Sequence, residues 1–406
     1  MADIRPFKAL RPALEYVDKI AALPYDVYNR EESVEVVKAN PLSFLRIDRA
    51  ETNFDDSVST YAPEVYEKAK TLIEEYEKEG KFVQDADACY YLYRLTMNGR
   101  AQTGIVACSS IDDYLNNVIM KHENTREEKE LDRIRHIDVT SCQTGPIFLA
   151  FRDDETINRI MEEELAKAPL YQFVAEDEVE HAVWKISDEE NNRNLMMAFH
   201  GMKQIYIADG HHRCASAVKV GLQRRKEGVV QESDYFLSVL FPASQLKILD
   251  YNRVLKDLNG KTFDEIMEEI KVHFTVEEST EQVSPSKKGE FGMILDDKWY
   301  KLNLKEEYFV DDSVEGLDVS LLQDYVLNPI FGIQNPKVDK RIDFVGGIRG
   351  LDELERRNKL DCSAAFSMYP TSIEELFAVA DEGKLMPPKS TWFEPKLRSG
   401  IFIHKI

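Results

Sequence analysis

The run Ile207-Ala208-Asp209-Gly210-His211-His212-Arg213 places a carboxylate, two imidazoles and a guanidinium on consecutive or near-consecutive residues. Residues 204–208 read as a short apolar strand. Gly210 breaks it, and 211–220, with Ala215, Ala217, Val218 and Val220, read as a helix. A helix start carries unpaired backbone N–H groups and attracts anions. Gly210 would let a ligand approach the backbone closely, and the planar fork of Arg213 suits a phosphate or carboxylate. The expectation is therefore a phosphate site built from Gly210, His211, His212 and Arg213. The plainer alternative is that Asp209 only caps the helix and Arg213 only pairs with a surface acid. No GxxxxGK[ST] occurs, so this is not a P-loop. A zinc site on the two adjacent histidines is disfavoured, since neighbouring helical residues diverge by about 100°.

Three other stretches could add chemistry. Residues 121–137 are polar and include His122, Glu123, Thr125, Arg126, Arg133 and Arg135. Over 127–130 the spacing suggests a solvated helix with Glu–Lys pairs, and Thr125 reads as a cap ahead of it. His122 and Glu123 precede the helix and are candidates for ligand binding and proton transfer. The Pro24-Tyr25-Asp26-Val27 turn offers Asp26 as a rival base, in a sequence that also suits a structural turn. In the Pro-rich loop 386–391, Lys389 and Ser390 could reach a phosphate, as could Lys396 beyond it, although lysines in such loops are ordinarily solvated.

The elements that must position these residues are legible in outline. Residues 62–79 form an amphipathic helix pattern, with Val65, Ala69, Leu72, Ile73 and Tyr76 on one face and Gly80 as the stop. Residues 89–96 and 101–108 are β-rich and flank Asn98-Gly99, a hairpin signal. Strands are expected at 146–151 and 236–241, and an acidic helix at 155–167. After about residue 255 a different unit is expected, with an acidic helix at 262–274 and two strands around Asp296-Asp297 within 291–304. The domain expectation is thus a phosphate-binding core with insertions over 1–255 and a C-terminal α/β region over 256–406 packing back on it.

Composition narrows the function classes. Hydrophobic residues are 43% and charged residues 31% of 406, a globular balance. The formal net charge of -22 opposes a polyanion over most of the surface, so no nucleic-acid partner is expected. Cysteines stand at 89, 108, 142, 214 and 362, an odd number without a CxxC pair, which argues against a disulfide framework or a Cys-rich zinc site. No apolar h-region follows Met1, and no apolar run approaches the roughly 18 residues of a membrane span. A cytoplasmic protein with no membrane partner is expected.

Taken in order, the segments RPFKALRP at 5–12, PYDV at 24–27, QTGIVAC at 102–108, KHENT at 121–125, IADGHHR at 207–213, NRVL at 252–255 and MPPKSTWFEPKLRSG at 386–400 resemble a bacterial family of unknown function over essentially the whole chain. The DGHHR segment also resembles the phosphate-binding signature of the ParB/sulfiredoxin-like superfamily, mainly over the first 250 residues. Cys214 departs from that pattern, where an aromatic residue is more usual. This resemblance implies an α/β (α+β) fold with a ParB/sulfiredoxin-like core and an added C-terminal α/β unit. From the free-serine kinase branch it implies an enzyme of phosphoryl transfer, in either direction, between a nucleotide such as ATP or ADP and a small hydroxylated metabolite, with serine or phosphoserine the favoured substrate. Such chemistry needs a phosphate cradle, a metal such as Mg²⁺ and a base near the hydroxyl. Gly210–Arg213, with His122 and Thr125, would hold phosphate. Glu123 or Asp26 would take the proton, with Glu123 slightly preferred. Asp209 would hold Mg²⁺ or orient a histidine, and Lys389, Ser390 and Lys396 would contact the substrate. From the ParB branch the alternative is a nucleotide-responsive regulatory or partitioning protein without turnover, against which stands the absence of a Lys/Arg-rich helix-turn-helix segment. A third reading is a ligand-binding protein with no reaction.

Overall fold

The computed structural model describes residues 1–125 and 127–406. Arg126, together with the side chains of Glu128 and Lys129 on which the expected Glu–Lys pairing partly rests, lies outside the described residues. The fold is mixed α/β, as expected, in two units: residues 1–246 with 395–406, and residues 247–394.

The first unit is organised by a nine-stranded mixed sheet. Its strands are β1 (Ile4–Arg5), β2 (Tyr90–Met97), β3 (Arg100–Ser110), β4 (Ile119–Met120), β5 (Ile147–Phe151), β6 (Tyr171–Val174), β7 (Glu180–Ile186), β8 (Ile205–Asp209) and β9 (Tyr235–Pro242). They lie in the order β4-β8-β5-β9-β3-β2-β7-β6, with β1 paired to β3. The β2–β3 hairpin turns at Asn98 and Gly99, at φ 52° and 76°. Both values are positive, as a two-residue turn matched to strand twist requires. Three helices matter for the site: α1 (Pro63–Lys78), α2 (Glu127–Thr140) and α3 (His211–Arg224). Helix α1 starts with Pro in its first turn and buries Val65, Tyr66, Ala69, Leu72, Ile73 and Tyr76. Helix α3 buries the small residues Cys214, Ala215, Ser216, Ala217 and Gly221, which allows close packing. A Cβ on Gly221 would lie 2.3 Å from the Ser233 carbonyl oxygen. Polar cross-links tie α3 to α2: the Ser216 hydroxyl donates to the Glu130 carbonyl (3.1 Å), Lys219 pairs with the Glu130 carboxylate, and Arg224 pairs with Asp138 at 2.9 Å.

The second unit has a six-stranded antiparallel sheet. Its strands are β10 (Tyr251–Leu255), β11 (Phe274–Ser279), β12 (Glu290–Leu295), β13 (Lys298–Leu304), β14 (Ile342–Gly346) and β15 (Ala364–Ser367), in the order β11-β13-β12-β15-β10-β14. The β12–β13 turn places Asp296 and Asp297 at φ 53° and 58°, a conformation short Asp side chains tolerate.

The expected division at residue 255 differs from this arrangement at both ends. Residues 251–255 are strand β10, hydrogen-bonded between β14 and β15, and so belong to the second unit. Residues 395–406 belong to the first unit, where Ile403 bridges Leu10 and His404–Lys405 pairs with Cys142–Gln143. All five cysteines are buried free thiols. No helix of the described residues is long and apolar enough to cross a membrane.

Candidate functional site

The strand–turn–helix expected at 204–220 is present as β8, Gly210 and α3. Gly210 is the N-cap at φ 93° and, having no side chain, supplies no cap of its own. The first N–H groups of a helix have no acceptor within the helix itself and point out of its start. The sheet register explains what surrounds them. Strand β4 runs parallel to β8, with Ile119 opposite Ile205 and Met120 opposite Tyr206. The chain leaving β4 thus runs beside the end of β8, which delivers His122 and Glu123 to the turn. The His122 and His211 rings meet edge to face at 4.5 Å, and His211 Nδ1 lies 3.9 Å from Glu123 Oε2. From the opposite terminus, the Ala22–Ser399 bridge holds the 395–399 segment beside the strand entering the Tyr25–Asp26 turn. Lys396 Nζ comes 3.9 Å from Asp209 Oδ2.

Arg213 is fixed rather than solvated. Its Nη1 donates to the Pro146 carbonyl (3.1 Å) and its Nη2 to Asp209 Oδ2 (3.4 Å). The guanidinium lies against Gly210, where a Cβ would sit 3.1 Å from Nε. Burial would raise the Asp209 pKa, but Lys396, Arg213 and His211 outweigh it and hold the carboxyl down at about 2. Asp209 still keeps 40% of its side-chain surface. Burial also drives both histidines toward the neutral form: His122 falls to about 4 despite the pull of Asp209, and His211, only 5% exposed, falls well below its ordinary value. One nitrogen of each ring, His122 Nδ1 and His211 Nε2, is buried without a hydrogen-bond partner among the described residues. Unsatisfied buried nitrogens are costly, and a ligand group is one way to complete them.

The α3 start opens into a cavity of about 70 Å³ lined by Asp26, Glu123, Asp209, Gly210, His211, His212 and Arg213, with Tyr25 closing it. A larger chamber of about 210 Å³ has Tyr25 and Asp26 in its lining as well. Arg133 stacks on the Tyr25 ring at 3.9 Å, its Nε donates to Asp132 Oδ2 (2.8 Å), and the Tyr66 hydroxyl donates to Asp132 Oδ1 (2.9 Å). Asp48 accepts from the Thr144 hydroxyl (2.7 Å). Burial, reinforced by Arg133, lowers the His136 pKa to about 4. Burial raises the Tyr25 phenol to about 12.

Of the residues singled out from sequence, Asp26, Glu123, Asp209, Gly210, His211, His212 and Arg213 line one cavity. His122 packs on His211, and Lys396 reaches Asp209. Thr125 instead hydrogen-bonds the Glu130 side chain near the start of α2. Lys389 and Ser390 lie in the second unit. There Lys389 Nζ stands 5.4 Å over the Tyr251 ring, and the Ser390 hydroxyl donates to the Pro387 carbonyl at 2.6 Å. Asp48, Glu51, Asp132 and His136 were not anticipated, and Arg133 was named only as a member of the polar stretch 121–137. The available signal was helical spacing: Glu130, Arg133, His136 and Thr140 recur every three or four residues and form a buried polar face.

No three His, Cys, Asp or Glu among the described residues are grouped to hold a metal ion by themselves. The α3 cavity does bring three carboxylates, Asp26, Glu123 and Asp209, against one guanidinium. Mg²⁺ commonly takes one or two protein carboxylates and completes its shell with phosphate and water oxygens. The oxygen donors present fit that mode.

A model of the family described as "Protein of unknown function (DUF1015)" matches residues 4–320. No curated protein matches the chain. Among solved structures, a free serine kinase in complex with AMP is 17% identical over 71% of this chain and 86% of its own, with a TM-score of 0.35. A conserved hypothetical protein from Pyrococcus furiosus is 18% identical over 71% and 90%, with a TM-score of 0.33. SbnI with C-terminal truncation from Staphylococcus aureus is 12% identical over 71% and 82%, with a TM-score of 0.36.

Proposed function

This chain belongs to the DUF1015 family, and we propose that it binds a nucleoside phosphate at the start of α3 and transfers a phosphoryl group between it and a small hydroxylated metabolite, with serine or phosphoserine the favoured one. The observation that carries this reading is the glycine-led α3 start, which lines a cavity together with the Arg213 guanidinium and the buried His211 ring. Backbone N–H groups and Arg213 would bind phosphate oxygens. Lys396 would balance Asp209. The kinship with ParB/sulfiredoxin-like proteins belongs to the same reading.

Charge adds a condition. With His122 and His211 neutral, three carboxylates still outnumber Arg213 and Lys396, which disfavours a bare polyphosphate. Mg²⁺ held by Asp209 and the phosphates would neutralise that charge. The protein's own part is to clamp the phosphate through Arg213, to orient it on the α3 N–H groups, and to take the acceptor's proton on Asp26 or Glu123.

Calorimetry with ATP and ADP tests this, with Mg²⁺ and then with excess chelator. Binding is expected with Mg²⁺ and its loss with chelator. Arg213→Ala removes a charge-assisted contact of about 1.5–3 kcal/mol, so affinity should fall roughly 10- to 150-fold. No binding of either nucleotide in the presence of Mg²⁺ would overturn the reading. Binding without turnover on any hydroxylated acceptor would favour the nucleotide-responsive regulator instead.

A further inference from the structure

We infer that the chamber walled by α1 and α2 is the acceptor subsite, that it takes a small hydroxylated amine through its ammonium group, and that Asp26, on the wall it shares with the α3 cavity, is the catalytic base. This rests on the phosphoryl-transfer reading and extends it to the acceptor.

Placement is the first argument. Tyr25 and Asp26 line both the 210 Å³ chamber and the 70 Å³ cavity at α3, whereas Glu123 lines only the latter. Transfer requires the acceptor oxygen and the donor phosphorus to meet in line, with the base at the acceptor oxygen. A base confined to the phosphate side would face the transferred group. Asp26 is the carboxylate that borders both spaces, and it is exposed and so free to contact a ligand. This reverses the preference for Glu123 drawn from sequence.

Charge is the second argument. The chamber lining holds four carboxylates, Asp26, Asp48, Glu51 and Asp132, against the guanidiniums of Arg49 and Arg133. His136, held neutral, adds no positive charge at pH 7. A surplus of two negative charges in a half-enclosed space favours a cationic guest and disfavours an anionic one. Glu51 gives an independent pointer. It is 2% exposed, and its Oε1 lies 2.8 Å from Arg49 Nε, yet neither atom is aligned for a hydrogen bond. The contact is therefore ionic alone, and it leaves the hydrogen-bonding capacity of a carboxylate in the chamber lining incomplete.

The step balances as follows. The acceptor hydroxyl loses its proton to Asp26 as its oxygen forms a bond to the terminal phosphorus of a nucleoside triphosphate. The bond from that phosphorus to the bridging oxygen breaks, and the nucleoside diphosphate leaves with the electron pair. Its charge stays beside Arg213 and the α3 N–H groups.

The test separates acceptor, base and nucleotide. Binding of ethanolamine, serine and glycerate is read by calorimetry or ligand-observed NMR on the full chain, and ADP–Mg²⁺ binding is measured in parallel. Ethanolamine and serine should bind and glycerate should not, because only glycerate lacks the ammonium group. Thr60→Lys, which adds a cation to the half-buried chamber wall, should abolish amine binding while ADP–Mg²⁺ affinity stays within twofold. Asp26→Asn should slow ATP-dependent phosphorylation roughly 10²- to 10⁴-fold with ADP affinity kept. Glycerate binding as well as serine, or amine binding unaffected by Thr60→Lys, overturns the subsite. Turnover kept in Asp26→Asn overturns the base. Failure of ADP to bind the wild type overturns the phosphate reading alone, since amine binding is measured without nucleotide.

Discussion

Replacing Gly210 with alanine probes whether the α3 start is the nucleotide cradle. Gly210 sits at φ 93°, and an alanine there carries the left-handed penalty of about 1–2 kcal/mol. For a domain of this size that is a loss of roughly 2–8 °C in Tm. The new Cβ would also lie 3.1 Å from Arg213 Nε and Nη2, and 3.3 Å from Cζ, so the guanidinium must shift by a few tenths of an ångström. It moves but does not vanish, so the expected affinity loss for ADP–Mg²⁺ is about tenfold, the low end of a charge-assisted contact. Gly80→Ala is the control. Gly80 is also left-handed, at φ 73°, but a Cβ there meets nothing within 4 Å. It should lower Tm comparably and leave affinity unchanged. Thermal melts and calorimetry on both variants give the comparison. Equal nucleotide affinity in Gly210→Ala and Gly80→Ala would refute the cradle.

Two further outcomes are expected. In the second unit, burial raises the Asp318 pKa to about 7, although the Gly289 N–H donates to both carboxylate oxygens at 3.0 and 3.1 Å. A carboxyl whose folded pKa is raised keeps its full stability below the unfolded value near 4 and loses it as pH rises through 7, by up to roughly 4 kcal/mol. Asp318→Asn should therefore melt higher than the wild type at pH 8 and like it at pH 4, and the same pH slope in both proteins would reject the assignment. With a net charge of -22, no duplex DNA complex is expected at physiological salt, and a salt-dependent micromolar complex in a gel shift would contradict that.

What was legible in the sequence is what local patterning encodes. The α1 face, the Asn98-Gly99 hairpin and the β8–Gly210–α3 turn each follow from residues a few positions apart, and all three are present. The gathering of His122, Glu123 and Lys396 around Asp209 depends on strand register and on a C-terminal segment that pairs with residues far upstream, so only their residue types could nominate them. The unit boundary failed for the same reason. Strand β10 resembles a continuation of the preceding apolar stretch until its partners β14 and β15, about a hundred residues later, claim it.

Helix α2 shows why the chamber stayed hidden. Its charges suit a solvated helix, and hydrophobic periodicity is the usual evidence for a buried face. Here the buried face carries Glu130, Arg133, His136 and Thr140. Burying such groups is costly unless each has a partner, and the partners come from elsewhere: Lys219 from α3, Tyr25 from the Pro-Tyr-Asp turn, and the Ile47 carbonyl (3.4 Å) facing His136. Arg133 in particular is held by Asp132 beside it and by the Tyr25 ring above it. Tyr25 thereby covers a buried guanidinium and also lines both the chamber and the α3 cavity. Its neighbour Asp26 is carried to the one wall that both spaces share, a position set by the packing of α2 rather than by the turn's own sequence.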